Sequence, residues 1–510
     1  MWEAFRAQWI HFPDYFSHHV LLTVGALAIG LLLSLPLAAL AVRRPTLAPP
    51  LLGTSSIIQT IPGLALLALM VPLLGRIGVV PALVALVLYS MLPILRNAVT
   101  GANEVDPNVL EAARGIGMTD QQILVRVQLP LALPVLVAGI RTAAVWTVGM
   151  ATLSTPVGAT SLGNFIFSGL QTQNTAAVLL GCLGAAVLAI ALDGLIRLGE
   201  LAAARRDARL AWISIALLAV SITLASWPTW AHYGQRGDRP RAIVGAKTFT
   251  EQYILADLIA TKLREAGFDV TLREGLGSTV AFNALASNEL DVYVDYSGTI
   301  WAHYMKRNDP ASAEVVLEES ARWLDNEAEI SLLGPLGFEN AYAIAMPTQK
   351  IQSLGITNLS DLTQHAPELS IGGDYEFFHR PEWKAVESAY DLRFREQRSF
   401  DSTLMYGAAA DGHVDAISAF STDGRIAAFD LVVLEDPLGA FPPYDAVLLL
   451  SPNASENQRL VSALNPLVEA INDAQMREAN RKVDLEGASI SDAAASLAAE
   501  IEVTDARSVN

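Results

Sequence analysis

The chain has 510 residues, 52% of them hydrophobic, and a formal net charge of −18. That length exceeds one ordinary domain, and the charge is divided unevenly: residues 1–230 hold 12 Lys/Arg against 9 Asp/Glu, whereas residues 231–510 hold 22 against 43. An acidic second half lacks the basic footprint that nucleic acid or an anionic lipid surface requires, and a single cysteine, Cys182, excludes an intrachain disulfide framework.

Apolar runs of spanning length lie at 20–42, 51–74, 79–95, 131–153, 176–195 and 211–226. Residues 1–19 have no basic region leading into a short apolar core and no small-residue cleavage site, so the first run reads as a span and not a signal peptide. Pro62 and Pro134 inside these runs predict kinks that neighbouring helices tolerate. Arg43 and Arg44 follow the first run, Arg96, Arg114 and Arg126 lie between the third and fourth, and Arg205, Arg206 and Arg209 between the fifth and sixth. Residues 154–175 carry no charge. The positive-inside rule therefore places the segment around Glu111 in the cytoplasm, and both the N-terminus and everything after residue 226 outside. The sixth run then acts as an internal anchor, with Trp227 and Trp230 as an interfacial belt.

Between the third and fourth runs, residues 111–130 form a polar, Gly-containing helix-turn-helix. From Arg241 the pattern changes to short strands at 242–245, 270–272 and 291–294, alternating with amphipathic helices. The helix over 251–266 carries Ile254, Leu255, Leu258 and Ile259 on one face, and the next contains Phe282 and Leu285. Repeated βα units predict an α/β fold with ligand loops at the strand carboxyl ends, and residues 241–510 suffice for two lobes around a cleft. No catalytic or metal constellation stands out. Gly245-Ala-Lys-Thr248 lacks the glycine spacing of a phosphate loop, the eight histidines form no ligand pattern, and no Gly-x-Ser-x-Gly elbow occurs.

Glu111-Ala112-Ala113, then Gly117, then Val127-x-Leu129-Pro130 resembles the "EAA" loop of bacterial ABC importer permeases, whose coupling helices dock into a separate cytoplasmic ATPase. Gln59-Thr-Ile-Pro-Gly63 and residues 151–162 extend the resemblance through the membrane half. The second half resembles the extracytoplasmic binding proteins of glycine betaine/carnitine/choline ABC transporters. The stretches that carry it are 244–255, Gly275-Leu-Gly-Ser-Thr279, 291–299, 373–380 and 415–423.

The resemblance implies a multidomain chain: an all-α transmembrane bundle of the type I ABC importer permease kind (1–210), a sixth transmembrane anchor and linker (211–240), and a two-lobed α/β periplasmic-binding-protein-like domain (241–510). It implies a bacterial inner-membrane location with the binding domain outside. No cofactor is expected on this chain; ATP belongs to the partner ATPase, and a second copy of the chain, the lipid bilayer and a small quaternary ammonium solute are the other partners.

A quaternary ammonium cannot donate N–H hydrogen bonds, so ring faces must replace its hydration. Carried over by the resemblance, the cage residues are Tyr296, Tyr342, Phe420 and Tyr444, with phenylalanine at 420 departing from the tyrosine usual there. Arg380 corresponds to a carboxylate-binding arginine, whose planar fork suits a bidentate contact. Thr279, Asn340 and Lys247 are implied cleft residues, and Glu111, Ala112, Ala113, Gly117, Leu129 and Pro130 the ATPase-coupling loop. Plain structural alternatives stand beside these: packing for the tyrosines and Phe420, a lobe-closing salt bridge for Arg380, and a helix cap for Glu111. Glycine betaine, choline, carnitine, proline betaine and ergothioneine share the head group such a cage receives. The alternative from another class is a ligand-gated receptor or channel, against which the ATPase-docking loop argues.

Overall fold

The computed structural model describes the chain except residues 1–7, 10, 173, 206, 235–238, 308, 310, 403 and 509–510; for 228–234, 427 and 503–508 it describes the backbone alone. Arg206 and the Trp230 side chain therefore lie outside the described residues. Residues 1–167 and 176–237 form one compact unit, and residues 168–175 with 238–510 form the other.

The first unit is a helical bundle built on α1 (Phe12–Arg43), α2 (Ala48–Thr60), α3 (Gly63–Leu74) and α4 (Val79–Asn103). A short α5 (Pro107–Gly115) precedes α6 (Leu129–Thr152), α7 (Thr175–Arg205) and α8 (Ala208–Gly234). The long helices outrun the apolar runs because hydropathy marks only their lipid-compatible middles. In α1, Asp14 occupies the first turn and Arg43 the last, each matching the local sign of the helix dipole. The expected segment 211–240 is mostly the single helix α8, and its Leu218 and Ala225 pack in one cluster with Val20 and Leu188 of the bundle.

The second apolar run is not one straight span. It is broken between α2 and α3 with a bend of 100°, because Pro62 cannot donate a helical hydrogen bond and disfavours helical backbone at Ile61. The Leu162 N–H donates to His19 Nδ1, and the Gly78 N–H to the Val157 carbonyl, so the starts of α1 and α4 share one end of the bundle with residues 155–162. Ala48, Leu51 and Leu52 pack instead with Ala38, Ala41, Ile94 and Leu95 towards the opposite end. The broken pair thus runs from one end of the bundle to the other and, counted as one span, brings the described residues to six candidate spans by length and composition.

In the helix-turn-helix after α4, the Asp106 carboxylate accepts from the Asn108 N–H at the start of α5. Gly117 turns the chain at φ +84. Thr119 and Gln122 then form a reciprocal capping box before a π-turn at Leu124–Gln128 leads into α6.

The second unit contains two five-stranded sheets. The first joins β1 (Arg241–Lys247), β2 (Asp269–Leu276), β3 (Val292–Tyr296) and β4 (Ser331–Glu339) with a late strand, β10 (Asp445–Leu450), in the order β2-β1-β3-β10-β4. The second joins β5 (Tyr342–Pro347), β6 (Ser370–Asp374), β7 (Glu396–Phe400), β8 (Ala416–Phe420) and β9 (Leu431–Val433), in the order β7-β6-β8-β5-β9. Both sheets are mixed: β10 runs antiparallel to β3 and β4, and β5 antiparallel to β8 and β9. A purely parallel succession of βα units does not account for this, because the chain returns to the first sheet after completing the second.

That return makes the two-lobed architecture. The chain crosses between sheets at 340–341 and again at 434–444, and the crossings lie side by side, with the Asn340 N–H donating to the Tyr444 carbonyl at 3.0 Å. Helix α9 (Thr250–Glu265) buries Ile254, Leu255, Leu258 and Ile259 against the first sheet, as its periodicity predicts. Near the C-terminus, α10 (Asp473–Asp484) adds Met476, Ala479 and Val483 to the same core.

Candidate functional site

Four predicted rings converge where the lobes meet. Tyr296 closes β3, Tyr342 opens β5, and Phe420, which closes β8, is its cross-strand partner. Tyr444 stands on the second crossing, just before β10. The Tyr342 ring lies 4.8 Å from Phe420 and 5.5 Å from Tyr444, the latter nearly perpendicular at 82°. A fifth ring completes the group: Phe249, in the turn after β1, stacks on Tyr296 at 6.0 Å and on Phe420 at 5.9 Å with only 5° between the planes. The rings therefore come from both lobes and one hinge crossing, and Phe249 bridges the lobes.

Beneath Tyr296 lies Glu251, on the first turn of α9 and almost completely buried. Its carboxylate accepts hydrogen bonds from the Tyr296 hydroxyl (2.6 Å), Asn340 Nδ2 (2.8 Å), the Thr422 hydroxyl (2.6 Å) and Asn480 Nδ2 (3.0 Å). These donors come from the first lobe, the hinge, the second lobe and α10. Burial pushes the Glu251 carboxyl up from its usual range, while the hydrogen bonds from Thr422, Tyr296, Asn480 and Asn340 pull it back. Burial also raises the pKa of Tyr296, Tyr342 and Tyr444, which keeps their hydroxyls as donors.

Arg380 stands at the end of the loop after β6, its Cζ 5.5 Å from the centre of the Tyr342 ring. Its Nη2 donates to Glu376 at 2.6 Å, and its Nη1 lies 3.6 Å from Glu382, the buried carboxylate that accepts from the Tyr444 hydroxyl. Arg380 Nε and Nη1, Glu382 Oε2 and Asn340 Oδ1 are buried without a hydrogen-bond partner among the described residues. Unpaired buried donors and acceptors are costly, so this corner is chemically ready for a polar group.

The remaining predicted residues divide. Asn340 is at the site through Glu251 and the hinge. Lys247 is near it but committed elsewhere: its ammonium pairs with buried Asp295, and it faces the Tyr296 ring at 5.3 Å. Thr279 is exposed after Gly277, and no hydrogen bond or ring contact among the described residues joins it to the cluster. Lys247 and Thr279 were legible only as members of the matching stretches 244–255 and 275–279, and no hydrogen bond among the described residues joins either to the rings. Phe249 and Glu251 were not singled out, although both fall in the matching stretch 244–255, at a strand carboxyl end where ligand loops sit.

In the membrane unit, Glu111, Ala112, Gly117, Leu129 and Pro130 are exposed and Ala113 is buried. Around them Val109, Ile116, Val125 and Leu129 present apolar side chains outward, Ile116 at 80% exposure. Exposed apolar side chains gathered on a loop are the kind of surface that meets a protein partner or the membrane. Among the described residues, no cluster of three His, Cys, Asp or Glu side chains is arranged to hold a metal.

Residues 241–500 match the family described as the substrate-binding domain of the ABC-type glycine betaine transport system, and residues 29–203 the binding-protein-dependent transport system inner membrane component. The ergothioneine transport permease/ergothioneine binding protein EgtU of Helicobacter pylori (strain G27) is 31% identical over 449 residues, covering 85% of this chain and 80% of its own. The choline transport system permease protein OpuBB of Bacillus subtilis (strain 168) is 42% identical over 182 residues, 36% of this chain and 83% of its own. The glycine-betaine-binding protein of Pseudomonas aeruginosa is 32% identical over 259 residues, 48% of this chain and 82% of its own. A crystal structure of a glycine betaine/carnitine/choline ABC transporter aligns with 50% of this chain and 96% of its own at 25% identity, with a TM-score of 0.44.

Proposed function

Since the chain belongs to the glycine betaine-type ABC importers, with permease and substrate-binding domain fused in one polypeptide, we propose that its solute is a small quaternary ammonium zwitterion held between the five rings and Arg380. The observation that carries this reading is the corner where Arg380, with two buried nitrogens that make no hydrogen bond among the described residues, stands 5.5 Å from the ring that also contacts Phe420 and Tyr444. Ring faces would receive the trimethylammonium head, and the guanidinium the carboxylate. Each desolvated cation–π contact contributes roughly 0.5–2 kcal/mol, whereas micromolar binding needs about 8 kcal/mol net of ordering costs. The rings alone are therefore marginal, and the Arg380 contact supplies the difference.

Capture and passage then follow from the two units. Phe249 and Glu251 carry contacts from one lobe to the other, so solute between the rings favours the closed arrangement. The exposed Glu111 loop would dock a cytoplasmic ATPase, on which ATP is hydrolysed, and two copies of the chain would frame one pathway. The binding domain works outside the membrane, consistent with the charge pattern. A ligand-gated receptor is not favoured, because it needs no ATPase-docking loop.

A second solute reading has its own support. Asn340 Oδ1 and Glu382 Oε2 are buried acceptors that receive no hydrogen bond among the described residues. Glycine betaine has no donor to offer them, whereas choline and carnitine carry a hydroxyl and ergothioneine an imidazole N–H. Calorimetry of the purified full-length chain with these four solutes tests both readings. Binding of at least one supports the class, and donor-bearing solutes binding more tightly than glycine betaine supports the second reading. If none binds, the quaternary ammonium assignment fails.

A further inference from the structure

The break between α2 and α3 opens a groove of about 420 Å³ within the membrane unit, lined by Gln59, Ile61, Gly63, Tyr89, Trp146 and Met150 among others. The break is held open by side chains of α2 and α4: the Tyr89 hydroxyl donates to the Ile61 carbonyl, and Gln59 Nε2 donates to the Tyr89 carbonyl at 3.1 Å. Gly63 packs directly against the end of Met150, whose Cε would have to move to admit a Cβ there.

Irregular backbone at membrane depth is tolerated where it is buried in protein or lines a watery cavity, and interrupted helices of transporters frequently border the solute path. Tyr89 stands ten residues into α4, about 15 Å along it at 1.5 Å per residue, which is close to the middle of a hydrocarbon core about 30 Å thick. No charged side chain lines the groove. It offers instead two rings, Tyr89 and the 53% exposed Trp146, together with the Gln59 amide. A quaternary ammonium that leaves one set of rings needs another surface able to replace its hydration, and the indole face is the strongest such surface a protein has.

We propose that this groove is a transit site for the solute inside the permease, with the Trp146 ring receiving the trimethylammonium head. The assignment rests on the quaternary ammonium reading above. Its test uses the full-length chain co-reconstituted with its ATPase subunit in proteoliposomes, comparing the parent with Trp146→Leu and Trp146→Phe. Calorimetric binding and maximal uptake are measured with whichever of glycine betaine, choline, carnitine and ergothioneine the parent binds. Leucine keeps apolar bulk without a π face, so maximal uptake should fall roughly tenfold or more, while phenylalanine should stay within about threefold and both should bind solute as the parent does. Uptake by Trp146→Leu equal to the parent, or equal losses in both variants, would overturn the transit site and leave Trp146 as a lipid or subunit contact. If the parent binds none of glycine betaine, choline, carnitine and ergothioneine, the quaternary ammonium reading falls first and the transit site with it, a result distinguishable from a failure of the groove alone.

Discussion

Arg380→Gln separates two jobs that the structure gives one side chain. The guanidinium is offered to a ligand carboxylate, and it also balances Glu376 and the fully buried Glu382. Loss of the ligand contact should cost a carboxylate-bearing betaine about 2–5 kcal/mol, or 30-fold and more in affinity. Choline lacks the carboxylate, and for it the substitution removes a like charge. At roughly 8 Å and an effective dielectric of 20 that repulsion is worth about 2 kcal/mol, so choline should hold its affinity or tighten. The single variant also leaves Glu382 without its cation, which costs about 3–5 kcal/mol when a buried pair is broken. Arg380→Gln/Glu382→Gln removes both charges and should recover thermal stability without recovering betaine affinity. Calorimetry with glycine betaine and choline, alongside thermal unfolding, reads all three quantities. Parallel losses for the two solutes, or betaine affinity restored in the double variant, would show that Arg380 serves only to neutralise Glu382.

The other tyrosines should separate by what their hydroxyls do. Tyr342→Ala should weaken solute binding by about 1–2 kcal/mol, or 5–30-fold by calorimetry, and Tyr342→Phe by less. Tyr296→Phe keeps the ring but takes one donor from buried Glu251, so it should lower the thermal midpoint through a loss of about 1–3 kcal/mol. Gly117 has φ +84 and open space around it, so Gly117→Ala strains the backbone by roughly 1–2 kcal/mol without a clash. Uptake in proteoliposomes should fall for this variant while solute binding is unchanged, and Gly117→Trp should abolish uptake. Asp484, whose carboxyl is raised to about 6 chiefly by burial, holds its proton more tightly folded than unfolded. Its contribution to stability is therefore present at low pH and lost as pH rises from about 4 to 6, and Asp484→Asn should reduce that slope in thermal unfolding.

Local patterns carried much of this architecture. The α9 periodicity and the strands β1 to β3 depend on neighbours in sequence, and the structure places them within a few residues of expectation; the apolar runs mark the middles of helices that extend up to ten residues further, and the second run is two helices. What sequence reading did not reach depends on distant partners: the antiparallel return of β10 and the pairing of Lys247 with Asp295; Pro62 marked a kink, but not a bend of 100°. Phe249 is the sharpest case, because a lone phenylalanine in a βα turn reads as ordinary core until the fold stacks it between Tyr296 and Phe420. Its variants distinguish the two roles. As packing alone, Phe249→Leu should behave like the parent, since apolar volume is nearly kept. As a ring of the solute site, both Phe249→Leu and Phe249→Ala should weaken quaternary ammonium binding by about 0.5–2 kcal/mol, because neither residue has a π face, and only the alanine should also lower stability by opening a cavity. Solute affinity preserved in Phe249→Leu would remove this ring from the site and leave it as the contact that joins the lobes.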